Sequence, residues 1–448
     1  MKHRIVVLGA GYAGAWGAGN LARRLSPADT EITVVNAVPD FVERMRLHHL
    51  AAGHDLAFRT LSDVFSGTGV RLRLGRVTGV DPERKTVTLT GEGGGHGEHG
   101  EGELAYDTLL YTLGSSVAQH DVPGVAEHAF DVTGLPSALR LRERLARLGT
   151  GGSVLVVGEG LTGIEAATEF AESRPDLCVS LAARGEVGAW LSPRARRHLR
   201  RAFDRLGITV HDNSGIDAVE PGRAITADGR SLAADVTVWS AGFAVHPLAA
   251  GSGLEVTGSG RIVVDRTMRS LTHPDVYAAG DCAYAIGENG KPLPMSCATA
   301  GFTAQQATAA ITARLTGRPV PLTGLKYYGN HISLGRRDAI FQMVDAPRAG
   351  QRPPRRHRRD RRTRRGHRGV RSRRRQSHLP ARHRRHGPAH SPGRGLATTP
   401  PRYARPPHLV TQVRPRWSPH PDTRPPRRQV SQGHARRIAP NLCDLHSA

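Results

Sequence analysis

Cysteine is scarce in this chain of 448 residues. Cys178, Cys282, Cys297 and Cys443 form no CxxC or CxxxxC pair. Structural zinc draws its ligands from such close pairs, and a disulfide scaffold needs many cysteines in a short chain. No metal site and no disulfide framework is therefore expected, and the usage suits a reducing cytoplasm. Uninterrupted apolar runs stay below membrane-spanning length. Past Met343 glutamate and phenylalanine are missing, and from Pro347 onward lysine is missing too. That stretch is dominated by Arg, Pro, His, Gly and Ser. It cannot bury enough apolar surface to offset its ordering entropy, so residues 347–448 are expected to form a disordered tail.

The formal charge of +24 is unevenly placed. Residues 347–448 hold 28 Arg and three acids, Asp360, Asp422 and Asp444. The first 346 residues then hold 63 − 28 = 35 basic and 39 − 3 = 36 acidic residues. The body is near neutral, and an anionic partner for it cannot be argued from the overall charge.

The body alternates strands and helices. RIVVLGAGYAGAWGAGNLARRL is an apolar run, a glycine turn and a helical pattern, and it reads as a mature N-terminus rather than a signal peptide. ITVVNA is a second strand, VRLRLGRVTGVDPERKTVTLT an antiparallel meander, and GEGGGHGEHGEGE at 91–103 a surface hairpin loop. DTLLYTLGSS closes the first unit. After the helical segment SALRLRERLARL the opening pattern recurs as SVLVVGEGLTGIEAATEFA, followed by strands CVSLAA, GITVH and DVTVWSAGF, then DVYAAGDCAYA and a small-residue helix. This order predicts α/β architecture with two Rossmann-like, doubly wound, three-layer dinucleotide-binding domains.

Two glycine turns carry the chemistry. Gly9 permits the tight turn, Gly11 lets backbone amides approach a diphosphate, and Gly14 allows close helix–strand packing. The anion then meets free N–H groups at a helix N-terminus. The ribose position at the end of the second strand is usually acidic. Here it is Asn36, a weaker acceptor or simply a turn residue. Gly158, Gly160 and Gly163 repeat the triad in the same context about 150 residues later. Two dinucleotides in one catalyst point to hydride passing between a nicotinamide and a flavin. Glu165, two residues into the second helix, either faces the nicotinamide or is a first-turn Glu favoured by the helix dipole. The second ribose position is Ala183, followed by Arg184; a guanidinium there could accommodate a 2′-phosphate, but Arg184 reads as a solvated surface charge, and the choice between NADH and NADPH stays open. Gly114 ends a strand where the chain crosses between domains. Gly280-Asp281 ends another, so Asp281 either accepts a ribityl hydroxyl or caps the next helix.

In this order, GAGYAG, TLGSS, GEGLTGIEAA, VTVWSAGF and VYAAGDCA resemble the FAD-dependent pyridine nucleotide oxidoreductases. Thr162-Gly163-Ile164-Glu165 with Trp239-Ser240-Ala241-Gly242-Phe243 looks most like the single-subunit, type II NADH dehydrogenases. The resemblance covers about residues 1–345. It implies FAD on Gly9, Gly11, Gly14 and Asp281, NAD(P)H on Gly158, Gly160, Gly163 and Glu165, hydride transfer to flavin N5, and a quinone as acceptor. The family's quinone-side helix often reads AQxAxQ. Ala304-Gln305-Gln306-Ala307-Thr308-Ala309 keeps the first glutamine, Gln305, and loses the second. Disulfide reductases share the architecture but need a cysteine pair where FVERMRLHHLAAG (41–53) has none. Arg44, Arg46 and His48 of that segment could line the flavin pocket, but the preferred reading is a charged helix face. Residues 1–120 with 245–320 are expected to form the FAD domain, 121–244 the NAD(P)H domain, and 321–346 a truncated interface segment. The expected location is cytoplasmic, with peripheral contact on the inner face of the plasma membrane and a homodimer both compatible with the resemblance. A ferredoxin-type acceptor is the alternative to quinone.

The arginine run from Arg355 admits three readings. A nucleic-acid arm needs only clustered Arg for phosphate contacts, but Tyr403 and Trp417 alone could stack on bases. A flavoprotein whose tail binds nucleic acid is thus the weaker functional alternative. A membrane-surface patch lacks an amphipathic helix. Out-of-frame translation of a GC-rich gene accounts best for the abrupt loss of periodicity near Asp345. Reading the gene in the neighbouring frame from those codons should restore an amphipathic continuation; a second unstructured text there would refute the idea.

Overall fold

The computed structural model describes residues 1–91, 98–99 and 102–344. In chain order the elements that matter are strand β1 His3–Leu8, helix α1 Tyr12–Arg24, β2 Thr30–Asn36, α2 Leu47–Ala51, β3 Arg71–Leu74, β4 Thr108–Tyr111, α3 Leu135–Ala146, β5 Ser153–Val157, α4 Leu161–Ser173, β6 Cys178–Ala182, α5 Pro193–Leu206, β7 Thr209–His211, β8 Val236–Trp239, β9 Val276–Ala278, α6 Cys297–Thr316, β10 Gly329–Ser333 and β11 Ala339–Met343.

The first parallel sheet runs β9-β4-β1-β2-β3. Its central strands are apolar text, such as IVVL in β1, because they are buried in a core that takes in both the helices and Val80, Val87 and Leu89 of an antiparallel meander. Helices α1 and α6 pack against each other on one side, and their contact is built from Ala and Gly that let the backbones approach. The antiparallel meander expected over VRLRLGRVTGVDPERKTVTLT is met in part: Arg76–Asp81 and Thr86–Thr90 pair antiparallel and Gly102–Ala105 supplies the third strand, but Arg71–Leu74 joins the parallel sheet instead. Much of the glycine-rich insert between its last two strands lies outside the described residues.

The second parallel sheet adds Ala129–Phe130 at one edge and runs from it through β8-β5-β6-β7. Helices α3, α4 and α5 cover it. Two crossings link the sheets: Ser115–Val117 leaves the first, Phe243–Val245 returns, and the two pair antiparallel. The hairpin β10–β11 does not join either sheet. Its Ile332 and Ile340, with nearby Leu334, pack into the core beneath α4. Leu47, Leu50 and Ala51 of α2 enter that same core although they belong to the first half of the chain. Among the described residues no helix is long and apolar enough to cross a membrane. The arginine-rich tail, with every reading of it, falls outside the described residues.

Candidate dinucleotide and redox site

Each glycine triad divides its labour as the sequence pattern requires. Gly9 has φ +87°, and a Cβ there would stand 2.7 Å from the Thr112 carbonyl oxygen. A Cβ on Gly14 would stand 1.8 Å from the Gly9 oxygen. Gly11, which opens α1, has only open space where its Cβ would point. The second triad repeats this. Gly158 has φ +124° and lies against Ser240, a Cβ on Gly163 would come within 1.9 Å of the Gly158 oxygen, and Gly160 faces open space. Two turns are closed on the protein side and open on the other, which is the shape a diphosphate at a helix N-terminus requires. The buried Ser240 hydroxyl oxygen beside the second turn has no partner among the described residues, so a polar atom there fits a polar ligand.

Asn36 lies at the end of β2 beside the first turn. Its Oδ1 accepts from the Ala10 amide at 2.9 Å and its Nδ2 donates to the Val38 carbonyl at 2.7 Å. The side chain therefore rivets the turn, with one Nδ2 hydrogen left over.

Gly114, Gly280 and Asp281 come together although 166 positions separate Ser115, next to Gly114, from Asp281. Gly114 (φ +67°) faces open space, and Gly280 (φ +81°) sits over Ala13 in the first turn of α1. Asp281 Oδ2 accepts from the Ser115 hydroxyl at 2.7 Å. The helix-capping reading of Asp281 fails, since the next helix, α6, is capped by Ser296. The charged-face reading fails for two of the three residues it covered. Arg44 is folded inward: it donates to the Ser115 carbonyl at 2.8 Å, lies 3.8 Å from Asp281 and stacks over Phe243, while its Nη2 is buried without a partner. His48 is buried with Nε2 unpartnered, and burial brings its pKa down to about 4. Only Arg46 keeps to the surface, paired with Glu43. The partners of Arg44 lie 71 residues and more away, so its inward turn could not be read locally.

Glu165 is half-buried in the first turn of α4. Its Oε1 accepts from the Ser333 amide at 3.0 Å and the Ser333 hydroxyl at 3.2 Å, so β10 is anchored to it. Burial raises its pKa and outweighs the Ser333 bonds and the His49 charge. A carboxyl of that kind can hold a proton at the free Oε2. Gln305 is exposed on α6, whereas Gln306 is fully buried, accepting from Thr323 and donating to Pro321. The second of the paired glutamines thus serves the fold. No dithiol accompanies these groups: position 41–53 has no cysteine, and the Cys282 thiol is wholly buried with its pKa pushed up to about 12.

Comparison with known proteins places this geometry. Residues 3–305 match the family described as pyridine nucleotide-disulphide oxidoreductase. An NADH dehydrogenase-like protein of Mycobacterium tuberculosis is 30% identical over 364 residues, covering 75% of this chain and 87% of its own length. A type II NADH:quinone oxidoreductase of Staphylococcus aureus is 25% identical, covering 78% of this chain and 92% of its own. Among solved structures, the NAD-dependent persulfide reductase of A. fulgidus superposes with a TM-score of 0.61 at 23% identity, over 74% of this chain and 62% of that protein.

Proposed function

We propose, from the premise that the chain belongs to the pyridine nucleotide-disulphide oxidoreductase family and so uses FAD and NAD(P)H, that it takes a hydride from NAD(P)H onto flavin and passes the electrons to a quinone-like acceptor. The observation that carries this reading is the pair of open glycine turns, with no cysteine pair beside them among the described residues. The relatives' names support the donor and, at lower identity, the acceptor. When bound, the flavin would supply the two-electron acceptor for the hydride.

In this reading residues 1–120 and 245–320 form the FAD domain and 121–244 the NAD(P)H domain. Gly9, Gly11 and Gly14 hold the FAD diphosphate, Asn36 offers its remaining Nδ2 hydrogen to the ribose, and Gly114, Gly280 and Asp281 line the ribityl side. Arg44 sets the charge there and orients Asp281. Gly158, Gly160 and Gly163 hold the second nucleotide. Glu165 holds a proton at Oε2, where quinol formation needs one. Gln305 lies on the acceptor side.

Anaerobic addition of NADH or NADPH to the purified yellow protein should bleach the flavin bands, and a soluble quinone should restore them. Recovery with a ferredoxin but not a quinone would replace the acceptor; no bleaching by either nucleotide would defeat the redox reading.

Two variants probe the roles. Glu165→Gln keeps an acceptor for Ser333 but cannot exchange a proton. It should fold normally, lower quinone turnover by about a hundredfold and remove one limb of the pH profile. An unchanged profile would leave Glu165 as an anchor for β10. Arg44→Ala should weaken FAD retention by about tenfold, because Asp281 loses its buried counter-charge. Fluorescence of released flavin after dilution measures this, and full retention would count against the placement.

A further inference from the structure

We propose that the second cradle selects NADPH over NADH, with Arg184 as the residue that binds the 2′-phosphate. This rests on the reading of that cradle as the nicotinamide nucleotide site and deepens it.

The two cradles can be compared position by position through strand register. Leu8 pairs with Val35 and Val157 with Ala182. The first glycine of each turn donates to the strand partner, Gly9 to Val35 at 2.7 Å and Gly158 to Ala182 at 2.9 Å. The next residue on the neighbouring strand is Asn36 in one unit and Ala183 in the other. Asn36 brings a side-chain carbonyl to within 2.9 Å of the turn amide of Ala10. Ala183 brings nothing and is fully buried. A nucleotide with a free 2′-hydroxyl wants an acceptor at this place, and the second cradle does not offer one.

It offers a cation instead. Arg184 is exposed and, among the described residues, has no ion-pair or hydrogen-bond partner. Its backbone is fixed, because Ser214 N donates to the Ala183 carbonyl at 2.6 Å and Asn213 N to that of Gly185 at 2.9 Å. The nearby carboxylates are engaged elsewhere. Glu186 pairs with Arg196 at 2.9 Å, and Asp212 takes the Val187 amide at 2.6 Å and Arg200 at 2.8 Å. Arg230 reaches the Ser214 hydroxyl at 2.9 Å while pairing with Asp228. Beside the ribose position there is thus one unneutralised guanidinium, Arg184, while Glu186, Asp212 and Asp228 are each paired with another arginine. A planar fork of donors matches a phosphate dianion, where a lone hydroxyl could not repay its desolvation.

The test uses the purified full chain with its flavin. Calorimetric titration with adenosine 2′,5′-bisphosphate and with 5′-AMP reads the subsite directly, and stopped-flow bleaching by NADPH and NADH reads its consequence. The bisphosphate should bind about tenfold or more tightly than AMP, with the same preference in bleaching. Arg184→Ala should bring the bisphosphate down to the affinity of AMP, while Ala183→Glu should invert the preference. Equal binding of the two probes, or a preference that survives Arg184→Ala, overturns the selectivity while leaving the donor site in place. Binding of neither probe, with no bleaching by either nucleotide, overturns the parent reading and this one with it.

Discussion

Gly14→Val and Gly163→Val should yield no folded protein, whereas Gly11→Val and Gly160→Val should fold normally and each lose one nucleotide. The neighbours of the third glycines are backbone atoms. A Cβ 1.8 Å from the Gly9 oxygen, or 1.9 Å from the Gly158 oxygen, can be relieved only by lifting the helix off its strand. Overpacking of that severity costs more than the usual ~1–3 kcal/mol for an extra methylene, set against a total stability of about 5–15 kcal/mol. The second glycines differ in both respects. Gly11 and Gly160 have φ −71° and −76° with extended ψ, a conformation open to any residue, and nothing within 4 Å. Their side chains would grow only into the space a diphosphate needs. Gly11→Val should therefore be colourless with a normal thermal transition. Gly160→Val should be yellow but unbleached by either nicotinamide nucleotide. A fully yellow Gly11→Val protein would show that the first turn does not hold the flavin nucleotide.

Those triads were legible in the sequence because their demands are local. A positive φ, an approach of the third glycine to the first and an open helix start are all set within six consecutive residues. The alternating strands were legible for a similar reason, since a buried parallel strand needs unbroken apolar text whatever it pairs with. What could not be read is carried by distant pairs. Arg44 turns inward because Ser115 and Asp281 await it there, and nothing within 41–53 encodes that. Glu165 meets Ser333 across 168 residues, in a hairpin whose strands have no signature of their own. The basic helix α5 is a different case. It is not among the elements expected from the sequence, although Ser192-Pro193 marks its start and Gly207, in the left-handed conformation, marks its end. Its dense arginine text masks a buried stripe of Leu199, Ala202 and Phe203.

Glu169→Ala should destabilise the protein by about 2–3 kcal/mol at neutral pH and slow hydride transfer more than it weakens either nucleotide. Glu169 is 1% exposed on α4 and accepts from His54 at 2.9 Å and the Ser173 hydroxyl at 3.0 Å. His49 approaches its second oxygen at 3.3 Å and Arg336 lies 3.7 Å away. His49 and His54 flank the end of α2 in the first half of the chain, so this carboxylate ties the two cradles together where Leu47 and Leu50 already cross into the second core. Burial pushes its pKa up, but the histidines and Ser173 pull harder and bring it down to about 2. A carboxyl held below its ordinary value stabilises the fold at higher pH and loses that contribution as pH falls from about 4.5 toward 2. His48 acts in a separate window. Held neutral by burial, with a pKa near 4, it costs stability as pH falls from 6.5 toward 4, where the unfolded chain takes up the proton more readily. Denaturant titrations across pH should therefore show two acid steps in the native protein. Glu169→Gln should shrink the lower step, which Asp107 shares, and His48→Leu should shrink the upper one, which His3 and His211 share. If the flavin content of Glu169→Gln is unchanged while its bleaching by NAD(P)H slows, the tie serves to align the two rings; unchanged bleaching would reduce it to a contribution to stability alone.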